Sequence, residues 1–163
     1  MLLHHSRVKV PTAPHSQLQE QGASPKPNGF WVSVAGDRDW YDFCHEEGYR
    51  TNCFKHTLEV SLVKDANILY LYDEAVMDTF HDTYCARVNA NYSSYINWRK
   101  VAKAFDGIII PEYIYSRRLD GNASDWYYGW DCASGCIWDA RAIKTTKKIT
   151  KPKWLKLRKG TEI

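Results

Sequence analysis

The sequence contains no apolar run that approaches the length of a membrane span, which excludes an ordinary spanning helix. The opening Met1-Leu2-Leu3-His4-His5-Ser6-Arg7 has no apolar core of the kind a secretory signal needs, so a cytoplasmic protein is expected. There is no Gly-x-Gly-x-x-Gly and no Gly-x4-Gly-Lys-Ser/Thr, so neither a Rossmann dinucleotide loop nor a P-loop is present. No Gly-x-Ser-x-Gly marks a hydrolase elbow. The five cysteines form no Cys-x-x-Cys pair, and their number is odd. That pattern fits reduced thiols better than a disulfide scaffold. His81-x3-Cys85, Cys132-x3-Cys136, Cys44-His45 and His56 are too loosely spaced for a closed zinc site, so no metal is expected. With no signal peptide expected, the sequons at Asn91 and Asn122 read as chance matches.

What is present is a chain of 163 residues, enough for one domain with a real core. Aromatic residues make up 14% and are spread along its length. The charge is uneven. From Arg141 to the end there are nine Lys/Arg and one Glu, while the preceding part is mildly acidic. A single domain over residues 1–150 with a basic tail over 151–163 is expected. A basic segment on a near-neutral body suits a polyanionic partner, most often nucleic acid. Lys147, Lys148, Lys151 and Lys153 are its candidate contacts, with the loop pair Arg117 and Arg118.

Along the chain, Met1 to Val10 alternates as a strand, with Leu3 and His5 on one face and His4 and Ser6 on the other. Residues 11–28 are polar and proline-bearing, a loop. Phe30 to Val34 reads as a buried strand. Asp37 is a plausible cap for a helix running to Glu47 and stopped by Gly48. Phe54–Val63 and Asn67–Tyr72 read as strands, and Asp73 caps a helix to about Tyr84. Ser93 or Ser94 opens a helix over 95–105, and Asp106-Gly107 turns into a short strand, Ile108–Ile110. A polar loop follows over 116–125, and a last basic strand over about 140–150. Strands at both ends with two or three helices between them predict an α+β fold with a mixed, mostly antiparallel sheet.

The most distinctive stretch is Trp126–Asp139. It holds three of the seven tryptophans and two of the five cysteines, with Asp131 and Ser134 among them. Gly135 within an apolar run predicts close backbone approach. Aromatics of this density build either a core or a wall for a ring-shaped ligand.

Three segments taken together resemble the ADP-ribosyltransferase superfamily, whose members split NAD and pass ADP-ribose to an acceptor. Leu3-His4-His5-Ser6 is similar to that family's early strand, with its His and following Ser/Thr. Lys26-Pro27-Asn28-Gly29-Phe30-Trp31-Val32-Ser33 is similar to the middle strand, whose aromatic and Ser support the nicotinamide end. Ser134-Gly135-Cys136-Ile137-Trp138-Asp139 is similar to the late strand, which normally opens with an acidic residue. The resemblance implies an NAD-binding cleft with the aromatic segment as its floor. It implies NAD as substrate and no metal. His4, Ser6 and the rival His5 would meet the ribose, and Lys26 at the Gly29 turn would hold a phosphate. Trp31 or a tyrosine would stack on nicotinamide and Ser33 would bond its amide. The catalytic acid's position falls on or near Ser134, so the negative charge is expected from Asp131 or, failing that, Glu112. The acceptor implied is RNA or DNA, or else a protein, as in bacterial toxins and phage-defence effectors, with a neutralising antitoxin as partner. The rival readings are a non-catalytic nucleic-acid-binding module and an interaction protein of phage or mobile-element origin.

Overall fold

The computed structural model describes residues 1–9, 14–87, 94–118 and 126–159. Both sequons, Ser93 and most of the 116–125 loop lie outside the described residues. So do the end of the first expected strand at Val10 and the last four residues of the chain.

The fold is α+β. Its strands are β1 (Leu2–Ser6), β2 (Phe30–Val34), β3 (His56–Leu62), β4 (Ile68–Tyr70), β5 (Cys85–Arg87), β6 (Ser94–Ile96), β7 (Gly107–Ile110), β8 (Ser134–Ile137) and β9 (Ile143–Lys148). Its helices are α1 (Trp40–Glu46), α2 (Glu74–Tyr84), α3 (Trp98–Ala102) and α4 (Lys151–Arg158), with short 3-10 turns between. Seven strands form one mixed sheet in the order β4-β7-β8-β2-β1-β3-β9, while β5 and β6 form a separate hairpin. Only the β4–β7 pair is parallel; the others are antiparallel.

The join between β1 and β2 is short. The two strands pair at Leu2↔Val34 and Leu3↔Ser33. On its other edge, β1 pairs with β3 along its whole length, from Leu2↔Val60 to Ser6↔His56. β2 pairs with β8 from Phe30↔Ile137 to Ser33↔Ser134. Where the β1–β2 ladder stops, the His4 ring takes over: its Nδ1 lies 2.8 Å from the Trp31 carbonyl oxygen, and the ring stacks on Phe30 at 4.3 Å. The sheet is therefore two blocks joined at a narrow seam.

Each block has its own core. The β7–β8 side packs Met77, Phe80, Trp98, Ile108, Trp126, Trp130 and Trp138. The β1–β3 side packs Leu3, Cys44, Cys53, Phe54, Ile149 and Trp154. Gly135 allows the close packing expected of it. A Cβ there would sit 2.7 Å from the Ile108 carbonyl oxygen, so a side chain is excluded by backbone.

Several boundaries differ from expectation. α1 is capped by Asp39 rather than Asp37, and its carboxylate accepts from the amides of Tyr41 and Asp42 at 3.0 and 3.1 Å. Ser94–Ile96 is strand, because it pairs with Cys85–Arg87. α3 starts later, capped by Asn97, whose Oδ1 accepts from the Lys100 amide. Four helices are described, because the stretch read as a basic tail forms one. α4 carries Pro152 in its first turn, where a missing N–H costs nothing. Trp154 and Arg158, four residues apart, share the face that meets the body.

Arg158 closes that contact. Its Nε lies 2.8 Å from Asp39 Oδ2, and the two side chains are 7% and 2% exposed. It also bonds Asp42 and the Gly36 carbonyl. Breaking a buried, hydrogen-bonded pair leaves a charge stranded. Arg158→Met is expected to lower stability by about 3 kcal/mol or more, seen in urea unfolding as a lower midpoint at unchanged slope.

Burial holds the His4 imidazole below its ordinary pKa and pushes His5 down to about 3, with the charges of His4 and Arg158 adding to the effect on His5. The unfolded chain takes up these protons near pH ~6.5, whereas the native state does not. Stability is thus fully present above that pH and falls as the pH drops toward 3. His5→Gln is expected to remove on the order of 2 kcal/mol of the loss between neutral pH and about pH 4. Thermal unfolding as a function of pH measures it.

Candidate functional site

The seam opens into a cleft of about 380 Å³, within the range of small-molecule sites. Both cores supply its walls. From the β7–β8 side come Trp31, Trp130 and the chain through Gly129, Asp131, Cys132 and Ser134. From the β1–β3 side come Leu3, His5, Trp40, Arg50 and Cys53. His4 stands at the join.

Seven residues singled out in the sequence therefore meet in one place: His4, His5, Lys26, Trp31, Ser33, Asp131 and Ser134. The strand order explains why. β8, β2 and β1 are neighbours, so three segments far apart in the chain lie side by side. Ser33 and Ser134 face each other as Cα partners across β2 and β8.

The aromatic wall is continuous. Trp31 and Trp130 lie 5.0 Å apart, and the Lys26 ammonium sits 5.4 Å from the centre of the Trp31 ring. The stem of Lys26 reaches over Gly129, where a Cβ would come within 3.2 Å of it. Trp130 is buried, and its indole N–H has no hydrogen-bond partner among the described residues. An unpaired buried donor beside a cleft is a group that a ligand can satisfy.

The polar groups have distinct states. Ser33 Oγ accepts from the Trp40 amide at 3.1 Å, which leaves its own O–H to donate elsewhere. Ser134 donates to the Cys132 carbonyl at 2.9 Å, so its proton is already engaged. Asp131 is the one carboxylate among the lining residues. Burial raises its pKa, and the cations Lys26 and Arg118 oppose that rise. The Asp131 charge is thus only partly shielded by water and is held near two cations. Burial pushes the Cys132 thiol of the cleft up to about 12, and does the same to Cys44 behind the cleft with the help of Cys53, so neither is a ready nucleophile.

Other expected residues lie elsewhere. Ser6 accepts from the Val8 amide on the exposed end of β1. Gly29 is a packing position, since a Cβ there would meet Cys136 Sγ at 2.5 Å and the Ile137 carbonyl oxygen at 2.8 Å. Glu112 follows β7 on the surface and does not line the cleft. Arg117 forms a two-bonded ion pair with Asp78 of α2, at 2.7 and 2.6 Å. Arg118 lies nearer the site, with its guanidinium 5.7 Å from the Tyr128 ring centre.

Three lining residues had no part in the sequence expectation: Trp40, Arg50 and Cys53. Arg50 adopts a left-handed backbone with φ of 46° and opens the 3-10 turn Thr51–Lys55. A non-glycine residue held there is costly, and such positions concentrate at functional sites. Its one sequence signal is its place two residues after the Gly48 helix stop.

Among the described residues, no group of three or more His, Cys, Asp or Glu side chains could hold a metal ion, and no helix is long and apolar enough to cross a membrane. Comparison with known proteins returned no match, whether to family models, to curated sequences or to solved structures.

Proposed function

We propose that the seam cleft binds NAD and that the protein is an ADP-ribosyltransferase. The observation that carries this reading is convergence. The three segments that resemble the transferase family lie on adjacent strands and line one cleft, together with a single partly desolvated carboxylate.

The residues suit the chemistry. The nicotinamide ring stacks on Trp31 or Trp130, and the Ser33 hydroxyl donates to its carboxamide oxygen. His4 is held neutral by burial and bonds the Trp31 carbonyl, so it offers its second ring nitrogen to a ribose hydroxyl. Lys26 and Arg50 supply positive charge for the two phosphates. In the reaction, the bond between the ribose C1′ and the nicotinamide nitrogen breaks, and its electron pair leaves with nicotinamide. The ribose becomes oxocarbenium-like. Asp131 stabilises that cation, more strongly in a cleft poor in water than it would in bulk solvent. The acceptor nucleophile then bonds C1′ and releases a proton.

Incubation with labelled NAD and RNA, DNA or cell lysate is expected to release nicotinamide and transfer label. Absence of both turnover and NAD binding refutes the reading. Asp131→Asn should lower kcat by roughly 10²–10³-fold with little change in KM, while His4→Ala should act mainly on KM. Because the Asp131 pKa is raised, its anion is lost on acidification at a higher pH than for an ordinary carboxylate. The kcat profile should therefore show an acidic limb displaced upward, and the Asn variant should lack it.

A second reading is ligand binding without turnover. It is favoured by Ser134, which cannot supply charge at the position where the family carries its acid. Salt-dependent nucleic-acid binding with no use of NAD would select it.

A further inference from the structure

A second concavity, of about 220 Å³, lies on the far side of the Thr51–Lys55 turn from the cleft. Cys53 of that turn lines the cleft, while Phe54 and Lys55 line the groove, so one short turn is the wall of both. Four lysines border the groove: Lys9, Lys55, Lys148 and Lys151. No carboxylate lines it, and none of the four lysines is ion-paired among the described residues.

The strand register selects which lysines serve. Lys147 lies opposite Glu59 and Lys148 opposite Leu58. Successive side chains on a strand point to opposite faces. Lys147 therefore shares a face with a carboxylate, and Lys148 is turned to the groove. Phe54, Leu58 and Ile149 are buried beneath. Thr150 is the N-cap of α4 and Lys151 its first residue, and the Thr150 side chain makes no capping bond. The groove thus offers Lys9, Lys55 and Lys148 over an apolar floor, while the Lys151 ammonium lies 5.5 Å from the Tyr41 ring centre; cations over an apolar floor are the combination that tracks a sugar–phosphate backbone.

We propose that this groove seats the phosphodiester backbone of a single-stranded nucleic acid, the acceptor, and leads it past Lys55 to the cleft. The assignment of the strand as acceptor rests on the transferase reading above; its binding does not. Lys55, Lys148 and Lys9 carry the contact, with Lys151 at the helix start. Lys147 is secondary because it stands opposite Glu59 and does not line the groove, and Arg117 because it is paired with Asp78.

The test uses the full chain and labelled single-stranded RNA and DNA of about twelve nucleotides, with binding followed by fluorescence anisotropy as salt is varied. Binding is expected at about 50 mM salt, with a log–log salt slope of roughly −2, as three neutralised phosphates would give. The double variant Lys55→Glu/Lys148→Glu should bind at least tenfold more weakly with a flatter slope, and should keep wild-type NAD binding and circular dichroism. Lys147→Glu should change the affinity much less. His4→Ala should lose NAD and keep the oligonucleotide, so the failure of one site is separable from the failure of the other. The RNA and DNA arms decide which backbone is preferred. Wild-type affinity in the double variant overturns the proposal, as does equal competition by polyglutamate of matched charge.

Discussion

The narrow join between β1 and β2 is the constraint on which the rest of the molecule depends. A ladder that continued along both strands would give one uninterrupted sheet and no cleft. Instead the pairing stops after Leu3 and Ser33, and a side chain, His4, takes up the Trp31 carbonyl that the next rung would have bonded. The opening costs little in hydrogen bonding, because the exposed acceptor is still satisfied. Two separate cores then become necessary, since one apolar layer cannot span the split. The aromatic richness of the chain follows from that need: two small cores with more surface per volume favour large rings, which bury much area per residue.

The electrostatics of the cleft follow from the same geometry. Imidazoles that fill a seam are removed from water and stay neutral, so they add no positive charge next to Lys26 and Arg50. The cations that remain stand on loops at the rim, and the single acid stands where the aromatic segment enters β8. A ligand with anionic and cationic parts would find both signs in one cleft, with Lys26 and Arg118 close enough to Asp131 to oppose the rise in its pKa. The groove behind the 51–55 turn repeats only the positive half of this pattern, which distinguishes a charge-tracking surface from a site for chemistry.

Much of this was legible in local sequence, for identifiable reasons. Phe30–Val34 and Glu74–Tyr84 came through because an apolar run after the Asn28-Gly29 turn and an Asp73 cap are signals contained within a few residues. His4, Trp31, Ser33 and Asp131 were legible through the resemblance of short segments, and strand adjacency was what the sequence could not supply. The cap of α1 was misplaced by two residues because Asp37 and Asp39 are locally equivalent. The choice between them is made by Arg158, more than a hundred residues away. α4 looked like a tail because every second or third residue is a lysine or arginine; the spacing of Trp154 and Arg158, one turn apart, was the available signal. Arg50 was invisible because its position depends on a left-handed backbone that its residue type does not announce.

The tie between Asp39 and Arg158 has a consequence in time. A ribosome delivers Asp39 and α1 long before it delivers α4. Until Arg158 emerges, the carboxylate that starts α1 has no cation, and the core holding Leu3 and Phe54 lacks Trp154. One wall of the cleft therefore cannot settle before α4 is in place. Whatever chemistry the cleft performs is withheld until that helix has docked.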